Sequence, residues 1–182
     1  MATLDILHTG YTGDRVGSTV VLVRDGDATI VVDPGLVAAR SLILDPLRAQ
    51  GVAPEAVTHV FVSHHHLDHT MNIALFPNAE VIDFESRYRD DLWLDHEGDG
   101  YRPSPATQVW QTPGHTEQDA SLIVEADDGT YAMSHCWWHT DRTPDVDPFC
   151  RDQAVLAASR RRLLEVADVI VPGHGAPFRV RS

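Results

Sequence analysis

The sequence contains no lysine and only two cysteines, Cys136 and Cys150. Two cysteines do not make a disulfide framework, so a reducing cytoplasm is the expected compartment. No apolar run approaches the roughly 20 residues that a membrane-spanning helix needs. The N-terminal residues show neither the basic nor the apolar segment of a secretory signal. We therefore expect a cytoplasmic protein that does not enter the membrane.

Positive charge is scarce as well. Arginine supplies all 14 fixed cations against 27 acidic residues, which gives a formal net charge of −13. An acidic surface repels phosphate backbones, which argues against a nucleic-acid partner and favours a small-molecule substrate. The basic run at residues 160–162 lies in a predicted helix, where such a run usually forms a solvated face. The length is that of one domain with a buried core, so we expect a single domain over residues 1–182.

Strand and turn signals dominate the first half of the chain. Residues 18–33 contain two β-branched runs joined through an Asp-Gly turn, which predicts a hairpin. A helix is predicted over residues 39–52, with Pro46 near its start or at a kink. A short apolar strand follows at residues 57–62. Residues 86–106 carry little periodicity and many turn formers, which predicts a surface loop.

The second half of the chain repeats this pattern. Residues 121–135 resemble residues 18–33, because each has a serine, an apolar run, an Asp-Gly turn, a second apolar run and a polar residue. Residues 166–175 resemble residues 57–66, and in both a histidine follows the strand. Apolar strands often look alike, but the matching histidine positions favour a true repeat. Two related halves would bring their strand ends together at a pseudo-twofold axis, where a shared site could form.

The stretch SHHHLDHT, residues 63–70, places four histidines and an aspartate directly after an apolar strand. His64 and His66 are two residues apart and point to the same side, while His65 points away. Asp68 and His69 follow after a turn and can reach a second position nearby. Imidazole and carboxylate are ligands that suit zinc, iron or manganese, and three protein ligands plus water make an open catalytic site. The stretch therefore predicts a site for one or two divalent metal ions, with zinc favoured.

The same stretch resembles the His-x-His-x-Asp-His signature of the metallo-β-lactamase superfamily. Three further segments fit that family in order, namely VVDPG with Asp33, TPGHT with His115 and VPGHG with His174. The resemblance spans nearly the whole chain. Among the members of the family, the chain resembles most the short ones that have a single domain. It implies an α/β fold, a four-layer αββα sandwich built from two related halves, with the site at one edge.

The resemblance also implies two metal sites. Their ligands would be His64, His66 and His115 in the first, and Asp68, His69 and His174 in the second. Such a metal pair lowers the pKa of bound water and polarises the scissile oxygen of a substrate. The resulting hydroxide would attack a carbonyl or phosphoryl centre, with Asp68 as the catalytic residue that orients the water and shuttles its proton. Asp33 would be a supporting residue near the metals.

The sequence departs from the family at one position. Relatives with two metals commonly carry Gly-Asp after the second hairpin, and that aspartate bridges both ions; here the matching residues are Ser134 and His135. A neutral imidazole cannot bridge two cations as a carboxylate does. His135 could ligate one of two ions, or only the three-histidine site could be firmly filled, or Asp141 could reach in instead. His135 could also be a hydrogen-bonding or core neighbour and no ligand at all.

The expected function is a metal-dependent hydrolase in which a metal-bound hydroxide attacks a small ester, thioester, lactone or phosphoester. Exported β-lactamases and relatives with appended domains fit less well, because the chain shows no signal and no lysine and ends soon after His174. Two alternatives stay open, a mononuclear iron oxygenase of the persulfide-dioxygenase kind and a non-catalytic metal-binding domain.

Four other residues are open to more than one interpretation. Trp93, Trp137 and Trp138 could line a substrate mouth, or could belong to the core or to a homodimer interface. Cys136 could be a soft metal ligand or a redox-sensitive thiol, but a small buried hydrophobe is the usual role of a free cysteine.

Overall fold

The structure is a computed structural model that describes residues 1–140, 143–144 and 146–180. These residues form a seven-stranded sheet and a five-stranded sheet. The first sheet, in spatial order, contains β1 (Thr3–His8), β2 (Val20–Asp25), β3 (Ala28–Val32), β4 (His59–Phe61), β5 (Glu80–Ile82), β6 (Ser86–Arg89) and β7 (Leu92–Asp95). The second sheet, also in spatial order from one edge to the other, contains β8 (Thr107–Gln111), β9 (Ala120–Ala126), β10 (Gly129–Ser134), β11 (Val169–Pro172) and β12 (Phe178–Arg179).

Three α-helices accompany the sheets in the described residues: α1 (Ser41–Ala49), α2 (Leu67–Thr70) and α3 (Gln153–Val166). Short 3-10 turns lie at Pro54–Ala56 and Ile73–Leu75. Asp152 caps α3, because its side chain accepts hydrogen bonds from the first-turn N–H groups of Ala154 and Val155. None of these helices is long and apolar enough to cross a membrane.

The elements stack in four layers with an apolar core at each of the three interfaces. Leu22 and Val31 of the first sheet pack against Ile43 and Leu47 of α1 on one side. Val21 and Val23 point to the opposite face, because strand side chains alternate, and join a core shared by both sheets. A third core lies between the second sheet and α3 and includes Ile123, Ile170, Leu156 and Leu163. The order α1, sheet, sheet, α3 confirms the predicted αββα sandwich.

The internal repeat predicted from the sequence is visible in the connectivity. In the first half, the antiparallel hairpin β2–β3 is followed by α1 and then by β4, which pairs parallel with β3. In the second half, the antiparallel hairpin β9–β10 is followed by α3 and then by β11, which pairs parallel with β10. The carboxyl ends of parallel strands lie at the same edge of a sheet, and ligands bind at such edges in α/β folds. The repeat therefore supplies two strand-end edges that can share one site.

One local prediction was wrong, and one of the two positions left open for Pro46 is excluded. Residues 86–106 are not a surface loop throughout, because β6 and β7 form an antiparallel hairpin that extends the first sheet. All four residues of β7 are exposed, so the strand has no buried face and shows no apolar alternation in the sequence. Pro46 lies within α1, as the sixth of its nine residues, and not near its start.

Candidate metal centre

The structure brings together all seven residues that the sequence predicted as metal ligands. His64 and His66 follow β4, and Asp68 and His69 lie in α2. The other three follow strands of the second sheet: His115 after β8, His135 directly after β10 and His174 after β11. Five of the seven are buried, namely His64, His69, His115, His135 and His174, while His66 and Asp68 are half-buried.

The first cluster consists of His64, His66 and His115. The Nδ1 atom of His66 lies 3.0 Å from Nε2 of His64 and 3.1 Å from Nε2 of His115. Three nitrogens bound tetrahedrally to one zinc ion would lie roughly 3.3 Å apart, given metal–nitrogen distances of about 2.0–2.1 Å. The three imidazoles therefore converge at a spacing that fits a single metal ion.

The second cluster consists of Asp68, His69 and His174. The Oδ2 atom of Asp68 lies 3.6 Å from Nε2 of His69 and 3.5 Å from Nε2 of His174. One carboxylate oxygen and two imidazole nitrogens thus face one another across a space that fits a second ion. The Nε2 atom of His69 is buried and has no hydrogen-bond partner in the described part of the chain, as expected for a ligand atom.

Three of these histidines are held at their other ring nitrogen. Nδ1 of His174 donates to the carbonyl of Gly17 at 2.8 Å, which leaves its Nε2 lone pair directed into the cluster. Nδ1 of His69 lies 2.9 Å from a carboxylate oxygen of Asp33, and Nδ1 of His115 lies 2.9 Å from one of Asp147. Such outer contacts fix the tautomer and the ring orientation of a metal-ligating histidine.

Asp33 has the supporting position that the family resemblance implies. It is buried, and its carboxylate accepts hydrogen bonds from the backbone N–H and the hydroxyl of Ser63, both at 2.7 Å. Its φ of +47° is left-handed, a conformation that aspartate tolerates better than most residues. Gly35 close by has no room for a side chain, since a Cβ there would lie 1.7 Å from the carbonyl oxygen of Asp68.

His135 lies between the two clusters. The centroid of its ring is 4.5 Å from that of His64, 4.2 Å from that of His115 and 5.1 Å from that of His174. Its Nε2 lies 3.2 Å from Nε2 of His174, and its Nδ1 is buried without a hydrogen-bond partner among the described residues. A Cβ at Gly173 would lie 2.1 Å from the His135 ring, so glycine is required there. Asp141, the alternative ligand, lies outside the described residues.

Burial keeps most of these imidazoles neutral. It lowers the pKa of His64 and of His135 well below the usual value, and the neighbouring histidines add to the effect. Burial likewise lowers the pKa of His174 to about 4. For His115, burial lowers the pKa although the contact with Asp147 raises it. Neutral imidazole is the form that binds a metal ion.

Asp147 was not identified from the sequence. Its side chain is buried, and one oxygen, Oδ2, contacts both Nδ1 of His115 and Nε1 of Trp138 at 2.9 Å. The other oxygen accepts the backbone N–H of Phe149 at 2.9 Å. Burial raises the pKa of this carboxyl, but the hydrogen bonds from His115, Phe149 and Trp138 outweigh it and lower the pKa overall.

The tryptophans and Cys136 have separate locations. Trp138 lines the cleft over the clusters, whereas Trp137 packs on the α3 side and Trp93 is exposed on β7. Cys136 is buried in the core beneath α3, and burial raises the pKa of its thiol to about 12. A thiol that stays protonated in a core fits a small hydrophobe and not a metal ligand.

The middle histidine of the sequence cluster, His65, has a contact outside the centre. Its Nε2 lies 2.9 Å from a carboxylate oxygen of Asp83, which also accepts the hydroxyl of Tyr88 at 2.8 Å. This pairing supports the β5–β6 corner and not the metal clusters.

Comparison with known proteins identifies the family. A family model described as the metallo-beta-lactamase superfamily matches residues 13–174. The chain is 35% identical to metallo-beta-lactamase domain-containing protein 1 of Xenopus laevis, over 98% of this chain and 82% of that protein. It is 39% identical to the Homo sapiens protein of the same name, over 90% of this chain but only 64% of that protein. The chain belongs to the metallo-β-lactamase superfamily.

More distant relatives include hydrolases. The chain is 32% identical to a hydroxyacylglutathione hydrolase of Tolumonas auensis over 57% of this chain and 42% of that protein. Solved structures share the fold: a Thermotoga maritima protein of metallo-beta-lactamase type has a TM-score of 0.75 at 22% identity, over 98% of this chain and 99% of that one. A quorum-quenching N-acyl homoserine lactone lactonase has a TM-score of 0.68 at 18% identity, over 95% and 91%.

Proposed function

We propose that the chain is a metal-dependent hydrolase acting on a small ester, thioester, lactone or phosphoester. The observation that carries this proposal is the convergence of three imidazole nitrogens at 3.0 and 3.1 Å beside a cleft, with a carboxylate next to them. Hydrolases among the relatives support the reaction class.

The first cluster would hold the catalytic ion. His64, His66 and His115 provide three protein ligands, and two of them, His66 and His115, line the cleft. Three protein ligands leave a coordination position open, which is the arrangement of catalytic zinc sites. An imidazole-rich donor set favours zinc over manganese, which prefers oxygen ligands.

The second cluster would hold a second ion with a fuller ligand set. Asp68, His69 and His174 face one another, and Nε2 of His135 lies on the side of His174. The ligand atom of His135 also groups with those of His64 and His69, one from each cluster. We assign His135 to the second ion because its Nε2 lies 3.2 Å from Nε2 of His174, and to that ion alone because a neutral imidazole donates one lone pair and cannot bridge. The two ions would then share no bridging carboxylate, so their mutual repulsion is less offset than in a site with a bridging aspartate.

Asp68 would be the proton-transfer residue. A divalent ion in the first cluster would lower the pKa of a water and polarise the scissile oxygen of the substrate. The Asp68 side chain lines the cleft and is half-buried, so its carboxylate can orient the attacking water, accept its proton and return that proton to the leaving group. Burial lowers the pKa of His135 and of His174, which makes both rings weak acceptors for that proton.

One observation favours a second candidate. Asp68, His69 and His174 make a set of two histidines and one carboxylate, which is the ligand type of mononuclear iron oxygenases. His135 beside this set counts against the oxygenase, since it would fill a position that oxygen needs.

Metal content and turnover of the same preparation test the proposal. Protein purified without added metal should contain zinc in preference to iron, should hydrolyse members of an ester and phosphoester panel, and should lose turnover on chelation and regain it with zinc. Iron with oxygen uptake would support the oxygenase instead. Fully metallated protein that hydrolyses nothing in the panel would support a non-catalytic metal-binding domain.

A further inference from the structure

Two cavities meet over the first cluster, and His66, His115 and Phe149 line both of them. The smaller, of about 410 Å³, extends under the β1–β2 loop and is bounded by Val16 and Trp138. The larger, of about 610 Å³, extends between residues 113–118 and the start of α3. Both volumes lie in the range of small-molecule sites. A substrate at the metal cluster could therefore place one arm in each cavity, with Phe149 between them.

Phe149 is an exposed aromatic residue beside the reacting centre. Its side chain is 60% exposed, and its ring centroid lies 5.2 Å from that of His115 and 5.8 Å from that of His66. The ring stacks on Trp138 at 6.0 Å with an interplanar angle of 28°. The pair thus presents an aromatic surface to the smaller cavity, and Phe149 extends it to the larger one.

The carboxylate of Asp147 holds this aromatic pair in place. It accepts the backbone N–H of Phe149 and the indole N–H of Trp138, each at 2.9 Å, and it also contacts His115. The aromatic surface is therefore fixed to the same buried group as a histidine of the metal cluster. Because the two rings are already held in place, less side-chain conformational entropy is lost when a substrate binds to them.

Apart from the proposed metal ions, the side-chain charges in the cleft do not favour an anionic substrate. Among the described residues that line the two cavities, Arg151 is the only arginine, and its guanidinium lies 2.9 Å from a carboxylate oxygen of Glu117. The remaining apolar contacts come from Val16 in the smaller cavity and Val155 in the larger one. An apolar group would be buried against these side chains, whereas a phosphoester dianion would meet no unpaired arginine among them.

We propose that Phe149 and Trp138 form a subsite for an apolar acyl group, so that the preferred substrates are neutral carboxylic esters, thioesters or lactones and not phosphoesters. This inference rests on the proposed hydrolase function and narrows its substrate class. In the reaction, water adds hydroxyl to the acyl carbon as the acyl–oxygen or acyl–sulfur bond breaks. The leaving alcohol or thiol takes the remaining proton, and no oxidant or reductant is needed.

Chain-length dependence of turnover tests the subsite. For zinc-loaded protein, kcat/KM should rise from p-nitrophenyl acetate through the butyrate to the octanoate, and p-nitrophenyl phosphate should be the poorest substrate. The variant Phe149→Ala should lose about 10- to 100-fold on the octanoate, the effect of removing one large apolar contact. On the acetate it should lose less than about 3-fold, and its zinc content should not change.

Two further variants separate the subsite from a general effect on the fold. Phe149→Leu keeps an apolar side chain and should retain most of the octanoate activity. Phe178→Ala removes a phenylalanine outside the cleft, whose ring centroid lies 6.2 Å from that of Trp137. This variant should leave the chain-length dependence intact. An equal loss on acetate and octanoate in Phe149→Ala, or a preference for the phosphoester, would overturn the proposal.

A binding experiment keeps the subsite testable if no ester is hydrolysed, an outcome that would refute the hydrolase function itself. Octanamide, a neutral analogue of the acyl product, is titrated into zinc-loaded protein while tryptophan fluorescence is followed. Saturable binding that weakens at least about 10-fold in Phe149→Ala supports the subsite. Absence of binding to the wild-type protein, or equal binding to both proteins, contradicts it.

Discussion

The two clusters lie side by side and both border the cleft, but they differ in charge and in the number of groups around them. The first consists of three imidazoles, two of which line the cleft, and it contains no carboxylate. The second contains Asp68 and lies next to His135, whose Nε2 is 3.2 Å from that of His174. In the proposed site, the three-ligand first cluster leaves a coordination position for chemistry, and the second, with His135 as a fourth ligand, holds its ion. One motif would thus supply ligands for two unequal tasks.

The largest effect is expected from loss of the first cluster. His64→Ala should lower turnover at least about 1,000-fold and remove one metal equivalent, because two imidazoles rarely hold zinc firmly. Turnover and metal content are measured on the same preparation. His65→Ala is the matched control, since His65 contacts Asp83 outside the centre, and it should change turnover less than about 3-fold. Retained turnover in His64→Ala would mean that the first cluster is not the catalytic one.

A smaller effect is expected from Asp147, which supports the first cluster only. Asp147→Asn keeps the shape but weakens the contact with His115, and zinc affinity should fall about 10- to 100-fold. The second cluster, supported by Asp33 and Gly17, should keep its affinity. Asp83→Asn removes an equally buried carboxylate that also pairs with a histidine, yet it should alter stability alone. Similar zinc affinity in the two variants would contradict the assigned role of Asp147.

In the absence of metal, a fall in pH should lower the stability of the fold through histidines of both clusters. Burial lowers the folded-state pKa of His64 in the first and of His174 in the second, so the unfolded chain binds more protons below about pH 6.5. Stability is therefore present above that pH and is lost as the pH falls toward 4. The Tm of chelated protein should fall by at least about 5 °C over this interval. A Tm that does not change would show that these imidazoles are not buried in the neutral form.

The smallest expected effect concerns Cys136, which follows His135 directly. Because its thiol is buried with a pKa of about 12, native protein should react with a thiol reagent at Cys150 and not at Cys136. Cys136→Ser should leave metal content unchanged. A change in metal stoichiometry in Cys136→Ser would indicate that the thiol is a ligand of the second cluster. The two clusters would then differ in another way than the one proposed.

The sequence predicts which residues converge, because the proposed ligands follow short local signals. His64, His66, Asp68 and His69 lie within six residues, and His115 and His174 each follow a Pro-Gly turn at a strand end. The αββα layers were implied by the family resemblance, and apolar strands such as β2, buried on both faces, fit them. These features depend on neighbours in the chain, which sequence reasoning can see.

Contacts across the fold were not predictable in the same way. Asp147 lies 32 residues from His115, and nothing local distinguishes it among 27 acidic residues. Phe149 becomes part of the cleft only because the fold brings its ring to 5.2 Å from that of His115 and 5.8 Å from that of His66. The β6–β7 hairpin was missed because an exposed edge strand has no buried face to impose a pattern.

The central claim is that His135, in place of a bridging carboxylate, makes the two metal sites unequal. Zinc titration of the chelated wild-type protein and of His135→Asp, with affinities from a competing chelator, tests this claim most directly. The account predicts two steps in the wild type whose affinities differ by at least about 10-fold, because two cations bind close together without a bridging anion. In His135→Asp the second step should strengthen and approach the first. Equal steps in the wild type, or an unchanged second step in the variant, would contradict the account.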